Sequence, residues 1–269
     1  MRVVVFGASG SIGRFLLPQL REAGDAFTAV SRQPRDDDAG AWIRGMLPDG
    51  VPALPEVDAV VCLGPLDHFV AWLERATLAG TPRIVAMSSM SAESKREAPL
   101  DAERALAARL RDAEARLAAT CERRGLHWTV LRATLIYGDG RDRSLTPLAQ
   151  RAMRWRVFPL PAGRGLRQPV HAQDLAAAVF AALHVENAPD RVLEAGGGER
   201  LSAHQMFARV RAGLPRWTLP LPVPRLALRL AARLSPRVRG AVARLDEDLV
   251  ADNRELERRL GVKPRDFRP

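Results

Sequence analysis

Apolar and polar positions along the chain alternate between two periods. Val3–Phe6 is an uninterrupted apolar run, rich in β-branched residues and too short for a helix, and it predicts a buried strand. From Arg14 to Glu22 the spacing lengthens, and Phe15, Leu16 and Leu20 fall on one helical face. The alternation then repeats. Ala26–Val30, Trp42–Leu47, Asp58–Leu63, Arg83–Met87 and Leu126–Leu131 read as strands. Leu66–Ala79 and Asp101–Arg124 read as helices, the second with Asp101 as its N-cap and Gly125 as its stop. Strands and helices alternating at this spacing predict an α/β fold, a Rossmann-type doubly wound parallel sheet. Ligands of such sheets lie at the carboxyl ends of the strands. Here those ends are Gly7–Gly13, Ser31-Arg32, Gly64-Pro65, Ser88-Ser89 and Arg132–Tyr137.

Beyond about residue 141 the alternation fades. Residues 144–157 and Leu175–His184 keep helical spacing, and Pro220, Pro222 and Pro224 break the chain further on. The expected organisation is a dinucleotide-binding domain over 1–140 and a smaller lobe over 141–269, packed on the first domain and contributing in part to it.

The glycines after the first strand carry the chemistry. Gly7, Gly10 and Gly13 follow a GxxGxxG spacing between a predicted strand and a predicted helix. Gly7 permits a tight turn, Gly10 lets the backbone approach a pyrophosphate, and Gly13 lets helix and strand sit close. Ser9, Ser11 and Ile12 complete the turn, and the helix start offers free N–H groups to phosphate. At the end of the second strand an Asp or Glu would hold a ribose 2′-hydroxyl, whereas an arginine accommodates a 2′-phosphate. Ser31 and Arg32 stand there, with Arg35 nearby and Asp36-Asp37-Asp38 read as a solvated loop. These residues favour NADP(H), with NAD(H) as the alternative.

Composition adjusts this picture at one place. The formal charge is +10, yet residues 200–245 hold ten arginines and no Asp or Glu. The excess is therefore local and does not describe a nucleic-acid-binding protein. Within Val223–Leu245, Arg225, Arg229 and Arg233 recur every four residues beside Leu226, Leu230 and Leu234. The plain reading is a helix of the lobe whose leucines pack inward. The other is a cationic amphipathic helix for an anionic membrane surface or an acidic partner. Cys62 and Cys121 lack any ligand spacing and read as free thiols of a reducing compartment. No run of about 18 apolar residues occurs, and a strand starting at residue 2 leaves no space for a signal peptide, so a cytoplasmic location is expected. No metal-ligand spacing and no GxSxG elbow is present.

Taken together, GASGSIG at Gly7–Gly13, VDAVVCLG before Pro65, VAMSS ending at Ser89, TVLRATLIYG at Thr129–Gly138 and GLRQPVHAQDLAAAV at Gly165–Val179 resemble the extended short-chain dehydrogenase/reductases, the NAD-dependent epimerase/dehydratase family. The resemblance spans nearly the whole chain. It implies that Gly7, Gly10 and Gly13 cradle the pyrophosphate, that Arg32 meets the adenosine phosphate, and that Leu63, Gly64 and Pro65 pass the nicotinamide side. It places Gly45-Met46-Leu47 where members usually have an Asp that meets adenine, so that hydrogen bond is missing. Arg167 falls where nucleotide-sugar members put an arginine on the substrate diphosphate; a structural arginine is the equal alternative.

The second departure concerns catalysis. The family's hydride chemistry uses a Tyr and a Lys four residues apart on the long helix, the Lys lowering the Tyr pKa. The register expects them at Leu106 and Leu110. The only tyrosine is Tyr137, and Lys95 precedes the helix. The resemblance is therefore to an atypical member. The remaining candidates are Ser89, which matches a serine that hydrogen-bonds the reacting oxygen, its neighbours Ser88 and Ser91, His68 after the fourth strand, and Tyr137 beside the crevice. Packing is the plainer role for Tyr137, and an ordinary helix-start residue for His68. Two functions compete: an NADP(H)-dependent oxidoreductase on a small or nucleotide-sugar substrate held at Ser89 and Arg167, or a silent NADP(H)-binding module with a structural, sensory or docking role.

Overall fold

The computed structural model describes residues 1–33, 41–138, 140, 142, 144–234, 240 and 242–269. Arg35, Asp36–Asp38, Arg237 and Arg239 lie outside the described residues. In chain order the elements of the first half are β1 (Arg2–Phe6), α1 (Gly13–Glu22), β2 (Ala26–Ser31), β3 (Ala41–Arg44), β4 (Ala59–Cys62), α2 (Leu66–Leu73), β5 (Arg83–Ser89), α3 (Ser91–Ser94), α4 (Asp101–Arg124) and β6 (Trp128–Ala133). The second half contains β7 (Ile136–Tyr137), α5 (Leu145–Trp155), β8 (Val157–Pro161), β9 (Leu166–Arg167), β10 (Val170–His171), α6 (Ala172–His184), β11 (Arg191–Ala195), β12 (Leu201–Ser202), α7 (Ala203–Ala212), β13 (Leu219–Val223), α8 (Arg225–Leu234) and α9 (Arg254–Leu260).

Seven strands form one parallel sheet in the order β11-β6-β5-β4-β1-β2-β3. The order reverses between β1 and β4, which makes that crevice the topological switch point. Central strands buried on both faces need continuous apolar runs. Val3, Val4, Val5 and Phe6, like Ala59–Cys62, supply them. Side-chain alternation divides these residues between two cores. Val3 and Val5 meet α1 and α6 through Leu16, Leu20, Leu175 and Val179. Val4 and Phe6 meet α2 and α4 through Phe69, Leu73 and Leu117. A third core, around Tyr137, Phe158, Met206 and Phe267, fills the lobe.

Several element limits differ from the sequence expectation. β3 stops at Arg44: Gly45 gives a last N–H to the Ser31 carbonyl, and Met46 then pairs with Gly50 in a turn instead of with β2. β6 begins at Trp128 and runs on to Ala133, held through its end by β5 on one side and β11 on the other. α2 ends at Leu73 rather than Ala79, since the N–H groups of Arg75 and Ala76 both turn to the Trp72 carbonyl. Asp101 is the first residue of α4 and not its cap; Leu100 holds that place without a side-chain bond. Gly125 closes α4 in the left-handed conformation, φ 63°. The chain after 141 also returns to the large sheet, adding α6 to one face and β11 to its edge.

The lobe is tied down by the chain's end. Arg265 pairs with Asp174 of α6, and Phe267 is buried against Tyr137. Among the described residues no helix is long and apolar enough to cross a membrane, and no group of His, Cys, Asp or Glu is placed to hold a metal. Cys62 and Cys121 are both buried free thiols, and desolvation pushes each up to about 12.

Candidate functional site

The turn between β1 and α1 is built around missing side chains. Gly7 has φ 76°, which L-residues rarely adopt, and an added Cβ there would lie 3.0 Å from the Gly64 nitrogen. At Gly13 a Cβ would meet the Ala8 carbonyl oxygen at 2.1 Å, so only glycine lets α1 start this close to the strand. The α1 start has no side-chain cap and no acid in its first turn; the Arg14 and Phe15 N–H groups turn back to the Gly10 and Ile12 carbonyls, while Ser11 and Ile12, just ahead of the helix, line the crevice at its positive end.

A cleft of about 1320 Å³ opens from this turn. Gly7, Ser9, Gly10, Ser11, Ile12 and Leu63 line one end, and Ser89, Ser91, Ser94 and Lys95 line the middle. The lobe supplies the far wall, with Leu148, Met206, Phe207, Leu228 and Leu245 and the polar Arg151, Arg244 and Asp248. A second cavity of about 440 Å³ lies past the β2 and β3 ends, lined by Arg32, Arg44, Gly45, Met46 and Gly50. Gly45 is needed here too, for a Cβ would come within 2.6 Å of Val30. Among the described residues neither Arg32 nor Arg44 makes an ion pair. Ser31 spends its hydroxyl on the Gln33 main chain, donating to the carbonyl at 3.0 Å.

The catalytic candidates separate. Ser89 faces the cleft, its Oγ accepting the Ser91 N–H at 3.1 Å, which leaves its own O–H to donate. Ser88, one residue earlier, points to the other face of the sheet and donates to the buried Glu114 at 2.5 Å. Glu114 also takes the Arg132 guanidinium, and Arg132 reaches Glu93 at 2.9 Å. Ser88 therefore serves a buried ion-pair cluster rather than the cleft. Tyr137 is 3% exposed; its hydroxyl accepts the Arg268 N–H at 3.2 Å and donates to the Asp266 carbonyl at 3.4 Å. Burial raises its pKa, and the Arg268 N–H opposes the shift. This phenol pins the chain's end, and it does not line the cleft among the described residues. His68 is exposed on α2 and likewise lies outside the cleft. Of Leu63, Gly64 and Pro65, Leu63 is the one that lines the cleft among the described residues.

Arg167 does line the cleft, but it is buried and bound to the main chain. It donates to the carbonyls of Leu166 (2.8 Å), Glu247 (2.5 Å) and Arg244. Desolvation lowers its pKa. Those bonds stitch β9 to the 244–249 segment, a structural task that competes with holding a diphosphate. α4 contains neither Tyr nor Lys. Lys95, which sequence reasoning set aside as out of register, instead enters the cleft beside Ser89 and pairs with Glu103 at 3.2 Å. Burial would raise the Glu103 carboxyl, but Lys95 and Arg244 prevail and hold it below the usual carboxylate range. Arg44 is the other missed residue. The sequence expectation ran the third strand on to Leu47 and so put Arg44 in its middle; only the end of β3 at Arg44 sets it among the strand ends, where loops of this fold carry ligand contacts.

A glycine turn at the switch point of a parallel sheet, opening into a cleft past the strand ends, defines a dinucleotide-binding Rossmann protein. The chain belongs to the NAD(P)H-binding family, whose model matches residues 7–186. Its fold is epimerase/dehydratase-like. It is similar to the solved structure of MoeE5 in complex with UDP-glucose and NAD, at TM-score 0.75 and 20% identity over 99% of this chain and 94% of that one. It is also similar to UDP-glucuronic acid 4-epimerase from Bacillus cereus in complex with NAD, at TM-score 0.74 and 14% identity over 99% and 94%. A third is UDP-glucose 4-epimerase from Thermotoga maritima, at TM-score 0.68 and 16% identity over 98% and 94%. No curated protein sequence matches the chain.

Proposed function

We propose that this protein is an NADP(H)-dependent oxidoreductase of the epimerase/dehydratase type that acts on a hydroxyl or carbonyl group of a small molecule. The observation that carries the reading is that one cleft runs from the glycine turn to Ser89 and Lys95. The residues fit the cofactor. The Gly7 and Gly10 backbone and the α1 start would hold the pyrophosphate, and a side chain at Gly7 would press against Gly64. Arg32 and Arg44, two guanidinium groups flanking the second cavity, would take a 2′-phosphate. When bound, the cofactor supplies hydride transfer.

The chain's own residues would do the rest. Ser89 donates its O–H to the reacting oxygen, and the Ser91 N–H fixes that hydroxyl. The Lys95 ammonium, positioned by Glu103, lowers the energy of negative charge on the same oxygen. Exchange of the proton falls to water in the cleft. The leucine, methionine and phenylalanine wall of the lobe suits a substrate with a sizeable apolar body. With Arg167 occupied by carbonyls, a nucleotide sugar would have to place its phosphates on Arg151 or Arg244. The silent-module reading is favoured by one observation, that α4 carries no Tyr or Lys.

Two measurements test the proposal. Titration should give tighter binding of NADPH than NADH, and R32A/R44A should weaken NADPH by about 10- to 100-fold with little effect on NADH, the range for losing charge-assisted bonds. NADPH oxidation should follow addition of apolar ketones or aldehydes and fall in S89A. Tight NADPH binding with no turnover on carbonyl compounds, quinones or nucleotide sugars would favour the module.

A further inference from the structure

Among the described residues the lobe displays an apolar surface that its own fold leaves uncovered. No residue of α8 is buried, although its sequence is strongly amphipathic. The inward-packing expectation for its leucines is thus overturned. Only Leu228 turns to the cleft wall, while Leu226, Leu230 and Leu234 recur every four residues on the outer face. The strand just before α8 extends the stripe. Leu219 and Leu221 share one side of it by their spacing of two, exposed Trp217 stands just ahead of it, and the Arg156 guanidinium joins the Trp217 carbonyl to the end of α5, next to Trp155. These seven side chains are 49% to 86% exposed, and they include most of the large exposed apolar residues described.

We propose that this face docks the protein on an anionic lipid surface. Three observations select that occupant. First, the charge is complementary: Arg229 and Arg233 form a stripe beside the leucines, Arg216 precedes Trp217, and among the described residues none of the three has a carboxylate partner. No Asp or Glu occurs between residues 200 and 245 to repel an anionic headgroup. Second, tryptophan and leucine backed by arginine is the composition of interfacial helices and belts, where indole rings sit at headgroup level. Third, the neighbouring strand is unsuited to pairing with another chain. Leu219 directs its N–H to Arg156, so the intervening Pro220 and Pro222 occupy the outward positions and have no N–H to offer. A partner strand or a second copy added edge to edge is thereby disfavoured, whereas a lipid surface needs no backbone bonds. Leu228 places the same helix at the cleft wall, so docking would set the cleft beside the membrane interface.

The inference does not rest on the oxidoreductase reading, and its test is separate from catalysis. The full chain is floated with phosphatidylcholine vesicles and with vesicles of phosphatidylglycerol and phosphatidylcholine. Flotation should occur with the anionic vesicles alone and weaken with added salt. Tryptophan emission should shift to the blue on binding. R229A/R233A should reduce partitioning by about 30-fold, the effect of removing two basic groups at an anionic surface. L226E/L230E should abolish it, with the melting temperature and NADPH affinity of both variants unchanged because these side chains are exposed. Equal binding to both vesicle types, no flotation at low salt, or flotation retained by L226E/L230E would each overturn the proposal. A dimer in sedimentation that L226E/L230E dissolves would also overturn it, assigning the face to self-association.

Discussion

Adjacent serines at the end of β5 show how a single residue step changes chemistry. Ser88 and Ser89 have the same side chain, but strand alternation sends one to Glu114 and the other to the cleft. Sequence placed both at the correct strand end; it could not say which faced the ligand, because that depends on which side α4 covers. The two variants should therefore differ. S88A should leave NADPH turnover intact and lower stability by about 1–3 kcal/mol, the cost of removing one partner from a buried charged group. S89A should leave the melting temperature near wild type and lower turnover. Thermal unfolding and steady-state rates on both variants check this. Y137F belongs with S88A: it removes one hydroxyl from the chain's end, worth about 1 kcal/mol, without changing the rate.

On the scale of elements, α4 is the most instructive. Its length and its glycine stop were legible, since periodicity and the left-handed stop are local, whereas its start was misread by one residue, Asp101 being the first of the helix and not its cap. What the helix holds was not. Glu103 in its first turn gathers Lys95 from the loop after α3 and Arg244 from the far segment of the lobe. Arg244 lies 141 residues from Glu103, and although Lys95 is close in sequence it stands outside the helix, so no periodicity connects the three. Because the Glu103 carboxyl is held below its ordinary value, its contribution is fully present above the unfolded carboxylate range, about pH 4.3, and is lost as pH falls through the lower folded value. E103Q should therefore flatten part of the acid-side fall in melting temperature between about pH 5 and pH 3, measured against wild type. It should also reduce turnover at neutral pH if Lys95 acts as proposed, because it removes the charge that positions the ammonium.

The whole molecule is held together by returns of the chain. The second half contributes α6 and β11 to the large sheet, and the last residues cross back to close the lobe through Arg265 on Asp174 and Phe267 on Tyr137. A boundary near residue 140 marks where the sequence pattern changes, yet α6 and β11, which come after it, belong to the large sheet. Phe267 is 1% exposed in the lobe core, so F267A should cost about 3–5 kcal/mol. Its melting temperature should fall by roughly 10 °C, at 2–4 °C per kcal/mol for a chain of this size. Limited proteolysis should then cut the lobe before the Rossmann sheet, whose two cores Phe267 does not enter.

Local spacing by itself determined six of the seven strands of the sheet, its parallel sense and the dinucleotide turn, while β11 at the edge was not read from it. Gly7 and Gly13 are legible from spacing because a tight turn and a close helix leave no room for a Cβ within a few residues of chain, and Gly10, where a Cβ would be crowded by the Gly7 carbonyl, falls at the spacing between them. The tertiary structure alone decided which side chains meet in the cleft. It withdrew Ser88, Tyr137 and Arg167 into structural bonds, brought in Lys95 and Arg44, and turned the leucines of α8 outward. The reason is physical. A side chain's role depends on the burial and partners supplied by segments 20 to 130 residues away, and spacing along the chain carries no record of those contacts.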